Sequence, residues 1–155
     1  MQDLNVTLIQ ADLAWHDAAA NLARLDAIIG SLADKTDLVV LPEMFTTGFT
    51  MQAREHAEEM SGRSVSRLLE WARTIDADVT GSIIVRESGR YYNRLVWAKP
   101  DGRTATYDKR HLFRMSGEQE VYSAGDKKIL VEIKGWRIRP FICYDLRFPV
   151  WSRNV

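Results

Sequence analysis

The sequence runs to 155 residues, 46% of them hydrophobic and 10% aromatic, enough for a single domain over residues 1–155 with one filled core and too apolar for a disordered chain. Twenty-one Lys and Arg balance twenty-one Asp and Glu, so no net field draws nucleic acid or an anionic membrane to it. The single cysteine, Cys143, excludes an internal disulfide and a four-thiolate zinc site, which leaves it as a core residue, a sensor or a nucleophile.

The opening MQDLNVTLIQ lacks the basic stretch, apolar run and small-residue cleavage site of an export signal, and no later segment approaches the roughly 20 apolar residues of a membrane-spanning helix. A cytoplasmic protein is expected. Leu4-Asn5-Val6-Thr7-Leu8 alternates apolar and polar and Ile9 extends it, the period-two pattern of a strand near a sheet edge. Asp17 can cap a helix in which Leu22, Leu25, Ile28, Ile29 and Leu32 recur at three- and four-residue steps, with its end expected between Gly30 and Asp34. Leu38-Val39-Val40-Leu41 is a continuous apolar run, as in a strand covered on both faces. Pro42 has no backbone donor and stops that ladder. Glu43 is thereby left just past the carboxyl end of the strand, where open α/β sheets place ligands.

A second helix is predicted from Ser64 through Val65, Leu68, Leu69, Ala72 and Ile75, and a strand from Val79 to Val85, so the strand-helix-strand unit repeats. From Leu95 the grammar becomes that of a hairpin: Leu95 to Ala98, a tight turn at Pro100-Asp101-Gly102, and a return over Arg103 to Tyr107, with Lys109 close behind. Ile129 to Ile133 and Arg137 to Ile142 read as two further strands joined at Lys134-Gly135, Cys143 standing where the second ends. No repeat, low-complexity stretch or linker divides the chain.

The glycine-rich nucleotide loops, the H-E-x-x-H zinc helix and the G-x-S-x-G elbow are all absent, and no metal or cofactor is expected. His56-Ala57-Glu58 resembles half of a zinc-deaminase motif, but its P-C-x-x-C partner does not exist here. Trp71, Tyr91, Tyr92 and Trp97 are read as packing residues, since no basic stripe accompanies them.

A cysteine attacks as a thiolate, so it needs a proton acceptor, a nearby cation and donors for the oxyanion that forms on the substrate. Glu43, Lys109 and Cys143 could supply these, although singly each has a plainer reading: a capping carboxylate, a solvated charge, a small buried side chain. Their surroundings decide between the readings. Leu38-Val39-Val40-Leu41-Pro42-Glu43-Met44-Phe45, Tyr107-Asp108-Lys109-Arg110-His111-Leu112-Phe113 and Phe141-Ile142-Cys143-Tyr144-Asp145-Leu146-Arg147-Phe148-Pro149 resemble, in order and with separations of 66 and 34 residues, the three signature segments of the nitrilase superfamily of carbon-nitrogen hydrolases.

That resemblance implies an α/β fold, a four-layer α-β-β-α sandwich. It also implies a small-molecule amide substrate cleaved through a thioester on Cys143, with Glu43 as base, Lys109 and the Tyr144 N–H as oxyanion donors, and a homodimeric assembly. A further family glutamate is placed at Glu118 rather than Glu120 by counting back from Ala124-Gly125-Asp126. His111 is the rival partner for the cysteine, as in a cysteine-histidine hydrolase on another fold. Pro42-Glu43-Met44-Phe45-Thr46-Thr47-Gly48-Phe49 and His111-Leu112-Phe113-Arg114-Met115 are most similar to the bacterial omega-amidases, which act on 2-oxoglutaramate or 2-oxosuccinamate. Other carbon-nitrogen substrates, such as nitriles and carbamoyl compounds, and a non-catalytic sensing member of the fold are the alternatives. An anionic substrate needs a further cation, for which Arg147 or Arg114 is the candidate. Phe45, Phe49 and Tyr144 are the candidate apolar wall. The family's domain continues well past its cysteine segment, whereas this sequence ends twelve residues after Cys143. Only the N-terminal part of the sandwich is therefore expected, with apolar surface exposed.

Overall fold

The computed structural model describes residues 2–153. Strand β1 (Val6–Leu8), helix α1 (Ala18–Gly30) and strand β2 (Leu38–Val40) form the first unit; helix α3 (Arg63–Ile75), preceded by the short α2 (Ala53–His56), leads to β3 (Asp78–Glu87). β1, β2 and β3 are parallel neighbours, so both crossovers carry their helix on the sheet. β4 (Arg90–Ala98) and β5 (Thr104–Asp108) add antiparallel, giving one sheet in the order β1-β2-β3-β4-β5.

The helices form where the periodicity puts them. Asp17 caps α1, its side chain accepting from Ala20 N at 2.9 Å. Leu22, Leu25 and Ile29 then face Val65, Leu68, Ala72 and Ile75 of α3 and the underside of the sheet in one core. Trp71 belongs to that core, yet its indole N–H still donates to Asp26 at 2.7 Å, so its burial leaves no polar atom stranded. Gly62 precedes α3, and the Glu58 carboxylate accepts from Ser64 N at 2.8 Å, satisfying a donor at the helix start.

Two regions depart from expectation. The β3–β4 hairpin is longer than the apolar runs, reaching Glu87 and resuming at Arg90, because Ser88 (φ 50) and Gly89 (φ 74) adopt the positive-φ pair of a tight hairpin turn. Conversely, the last strand is shorter: β6 (Val131–Ile133) and β7 (Trp136–Ile138) pair through Lys134 (φ 48) and Gly135 (φ 80), but β7 stops at Ile138. Pro140 has no donor for a ladder, and Phe141 and Ile142 continue without strand pairing.

Opposite the helices, Leu38, Leu95, Trp97 and Tyr107 meet Val131 and Ile142 in a second core. The described residues thus form a helix layer, the main sheet and the small β6–β7 sheet; the outer helical layer of a four-layer sandwich is not among them. Apolar side chains remain uncovered on β1 and after Cys143, with Leu8 75%, Leu146 74% and Val150 76% exposed. Among the described residues, no helix is long and apolar enough to cross a membrane.

Gly81 in β3 lets the segment after β2 lie flat on the sheet, since a Cβ there would sit 2.8 Å from both Leu41 Cβ and Phe45 Cδ1. Gly81→Ala is expected to destabilise by about 1–3 kcal/mol through that crowding. Urea unfolding measures it, and an unchanged midpoint would mean the segment yields freely.

Candidate active site

Glu43 leaves β2 behind Pro42, and the chain then turns through Met44 at φ 47, a left-handed conformation that non-glycine residues rarely adopt. The turn is held from the sheet: Met44 N donates to Ser82 Oγ at 2.9 Å and Phe45 N to Ser82 O at 3.1 Å. From the far side, Asn21 of α1 donates to Thr46 O at 2.8 Å. The carboxylate of Glu43 therefore projects from a turn fixed at both ends.

Lys109 follows β5, its N–H donating to Asn93 O and its carbonyl accepting from Gly125 N, both at 3.0 Å. Its side chain, 1% exposed, runs inward between two carboxylates. Nζ lies 2.8 Å from Glu43 Oε1 and 2.9 Å from Glu118 Oε2, with the Phe49 ring centroid 5.1 Å away. Burial on its own would lower the ammonium's pKa; the charges and hydrogen bonds of Glu43 and Glu118 outweigh it and hold the pKa above the ordinary lysine value. Glu118 Oε1 is also within reach, 3.1 Å from Nζ, so both oxygens of that carboxylate face the ammonium.

Glu118 opens the single-turn α4 (Glu118–Val121) and is fully buried, while Glu120 on the same turn is exposed. Glu118 also accepts from Phe113 N at 2.5 Å, so the segment after Lys109 is folded back onto it. Tyr122, donating to Thr50 O at 2.6 Å, ties α4 to the loop beyond Glu43. Burial and then the charges of Glu118 and Glu43 push the Tyr122 phenol's pKa up, so it stays a neutral donor.

Cys143 begins a 3-10 turn (Cys143–Arg147), not a strand end, and carries φ 42, the second strained residue of the site. Asp145 fixes this turn. Fully buried, it accepts from Ile142 N at 3.2 Å and Tyr107 OH at 2.6 Å through Oδ2, and from His111 N and His111 Nδ1 at 2.8 Å through Oδ1. The thiol is exposed on its outer side. Its pKa is pushed above the ordinary thiol value, first by burial of its inner side and then by the charge of and hydrogen bond to Glu43, against the opposing pull of Lys109. That shift favours the proton on sulfur, with the Glu43 carboxylate beside it as an acceptor.

Glu43, Lys109, Glu118 and Cys143 are thus brought together. An open hollow of about 540 Å³ beside the thiol is lined by Phe113, Cys143, Tyr144, Leu146 and Arg147. Arg147 is exposed on its rim, whereas Arg114 lines a neighbouring hollow with Arg110 and His111. Tyr144 stands edge-on to Phe113, and its N–H lies in the first turn of the 3-10 segment, where backbone donors lack partners within the turn. Phe45 is elsewhere: fully buried against Trp71 and Gly81 in the helix-side core, it contributes to neither hollow that Cys143 lines. Alternation along an irregular turn did not reveal which way it faces. Phe49, flanking Lys109, is the nearer aromatic. His111 pairs through Nδ1 with Asp145 at 2.8 Å and stacks on Phe148, ring centroids 3.7 Å apart. Asn93 and Asp145 were missed by sequence reading. Their only local signals are an amide following two tyrosines in a strand and a carboxylate two residues past the cysteine.

An α/β sheet that brings a glutamate and a lysine from behind two of its strands to a cysteine on a 3-10 turn agrees with the resemblance read in the sequence. The carbon-nitrogen hydrolase profile matches residues 5–154, and the chain belongs to that family. It is 47% identical over 154 residues to the omega-amidase YafV of Yersinia enterocolitica, covering 99% of this chain and 59% of that protein. A 2-oxoglutaramate amidase of Bacillus subtilis is 31% identical over 152 residues, 96% of this chain and 59% of that one. A CN-hydrolase superfamily protein of Xanthomonas campestris, solved with an arsenic adduct in its active site, superposes with a TM-score of 0.97 at 47% identity, over 99% of this chain and 58% of that chain. The chain spans somewhat more than half the length of each of these relatives.

Replacing Asp145 by Ala would strand two backbone donors and the Tyr107 hydroxyl around the cysteine turn. A loss of about 3 kcal/mol in unfolding free energy is expected, and a stability equal to the parent's would show that the turn holds without it. Lys109→Met removes the cation that favours the thiolate while the carboxylates remain, so the thiol's pKa rises further. Alkylation of Cys143 by iodoacetamide at pH 8 should slow by on the order of tenfold, and a rate equal to or above the parent's would contradict the electrostatic assignment.

Proposed function

We propose that the protein hydrolyses the carbon-nitrogen bond of a small amide through a thioester on Cys143. The observation that carries this is the hollow that Glu43 and Cys143 line together, with the buried Lys109 ammonium 2.8 Å from the Glu43 carboxylate. In the proposed sequence Glu43 accepts the thiol proton as sulfur attacks the amide carbon, and Lys109 and the Tyr144 N–H stabilise the oxyanion. Glu43 then protonates the leaving ammonia, and afterwards takes a proton from the water that hydrolyses the thioester. No metal or cofactor enters these steps.

The substrate we propose is the terminal amide of a short 2-oxo-dicarboxylic acid, 2-oxoglutaramate or 2-oxosuccinamate, in a cytoplasmic homodimer. Similarity to proteins named omega-amidase and 2-oxoglutaramate amidase supports it. So does Arg147, a planar cation on the rim of the Cys143 hollow, suited to the substrate's distal carboxylate. Nitriles and N-carbamoyl compounds remain the rival substrates for the same nucleophile.

Ammonia release from 2-oxoglutaramate, a simple nitrile and an N-carbamoyl amino acid tests this in the full chain. Release is expected from the oxo-amide, absent in Cys143→Ala and lowered by at least about 10²-fold in Lys109→Ala. Silence on all three compounds from folded protein would turn the reading to a sensing role. Arg147→Ala should raise KM for 2-oxoglutaramate by about 10- to 100-fold while leaving a neutral amide unaffected; an equal change for both would remove Arg147 from carboxylate recognition.

A further inference from the structure

Asn93 sits at the centre of the charged cluster, and the mechanism above gives it no part. It is fully buried on β4, opposite Ile84 of β3. Its amide nitrogen lies 2.8 Å from Glu43 Oε1 and 3.3 Å from Glu118 Oε1. Ionised carboxylates only accept, so the nitrogen, not the oxygen, of the amide must face them. Oδ1 is then turned away, buried and without a partner. Through its backbone carbonyl the same residue also accepts from Lys109 N at 3.0 Å.

A buried amide oxygen without a partner is destabilising, and an aliphatic side chain of similar size would avoid it. What the amide contributes is therefore to be sought in its two donated bonds. Lys109 Nζ and Asn93 Nδ2 both converge on Oε1 of Glu43, at 2.8 Å each, and neither of these two bonds engages Oε2. A second cation could pin Oε1 equally well, but it would make the carboxylate a weaker base; a neutral amide fixes its orientation with less effect on basicity.

We infer that Asn93 is a positioning residue, holding Oε1 of Glu43 beside Lys109 so that Oε2 is the atom that takes the proton from Cys143 and later from water. This rests on Cys143 as nucleophile and Glu43 as base.

The test is steady-state kinetics with 2-oxoglutaramate across pH, in the full chain, for Asn93→Leu, Asn93→Asp and, as reference, Cys143→Ala. Asn93→Leu should lower kcat by on the order of 10²-fold with KM within about threefold of the parent. Asn93→Asp keeps the shape but replaces donors by a third carboxylate, so the acid limb of kcat/KM should move to higher pH. Should the leucine variant fail to fold, the near-isosteric aspartate decides. Parental kcat and an unmoved pH profile in a folded variant, with Cys143→Ala inactive, would overturn the role of Asn93 alone. An active Cys143→Ala would overturn the nucleophile assignment and this inference with it.

Discussion

An ammonium whose side chain is 1% exposed has lost nearly all its hydration, a loss worth several kcal/mol for any ion, and around Lys109 it is offset by carboxylates reaching in from two other parts of the chain. Glu43 comes from 66 residues earlier and Glu118 from nine later. Removing either would leave charge inside without compensation, so the end of β2, the end of β5 and the single turn of α4 must take up their positions together. That requirement explains how segments with little regular structure keep a defined shape. The stretch from Met44 to Thr50 and the stretch from Arg110 to Tyr122 carry few ladder bonds. They are joined by the Lys109 cluster and the Tyr122 hydroxyl on Thr50 O, and the second stretch is closed on itself by the Phe113 N–H on Glu118.

Left-handed backbone follows Glu43 at Met44 and falls on Cys143 itself. Such residues persist only where their surroundings over-determine them. Around Met44 the fixing groups are Ser82 and Asn21; around Cys143 they converge on Asp145. At Met44 the restraint comes from β3 and α1, elements already committed to the core, whereas at Cys143 it comes from within the turn and is passed to the sheet by the bond of Asp145 to Tyr107. Asp145 also joins the cysteine turn to β5 through Tyr107, whose phenol is kept neutral by burial and by the adjoining carboxylate. Cys143 and Lys109 therefore share one scaffold although 34 residues separate them.

The strand-helix-strand rhythm was legible because each helix buries one stripe and each strand is short and apolar, so periodicity and packing agree. Where they disagreed, sequence reading failed. Arg90 to Arg94 looks too polar for a central strand, yet Arg94 is buried there because its guanidinium is forked between Glu87 and Asp108, 3.0 and 2.6 Å away. The last strand erred the other way: apolar residues from Phe141 to Ile142 suggested a ladder that Pro140 interrupts. At the site, Glu43, Lys109 and Cys143 were visible through their neighbours in sequence. Asn93 and Asp145 were not, since what matters about them is which distant groups they bond. Phe45 was placed in the wrong compartment, its direction being set by the turn at Met44 and the space above Gly81.

The electrostatics of the cluster also favour a particular course for the proposed reaction. A thiol whose pKa is held above the ordinary value is a poor nucleophile until its proton leaves, which favours transfer of the proton during the attack over a preformed thiolate. If the proton passes to Glu43 as sulfur attacks, the negative charge lost from the carboxylate reappears on the substrate oxygen beside Lys109. The buried cluster keeps the same total charge, and only its distribution shifts within reach of the same ammonium. Little reorganisation is then needed at the moment of reaction, the condition under which fixed donors are most effective. The substrate's own carboxylate must stay outside this arrangement, because another negative charge beside Glu43 and Glu118 would oppose the transfer. Arg147, exposed at the end of the cysteine turn and lining the open hollow, is the cation proposed to take such a group without adding charge to the buried cluster.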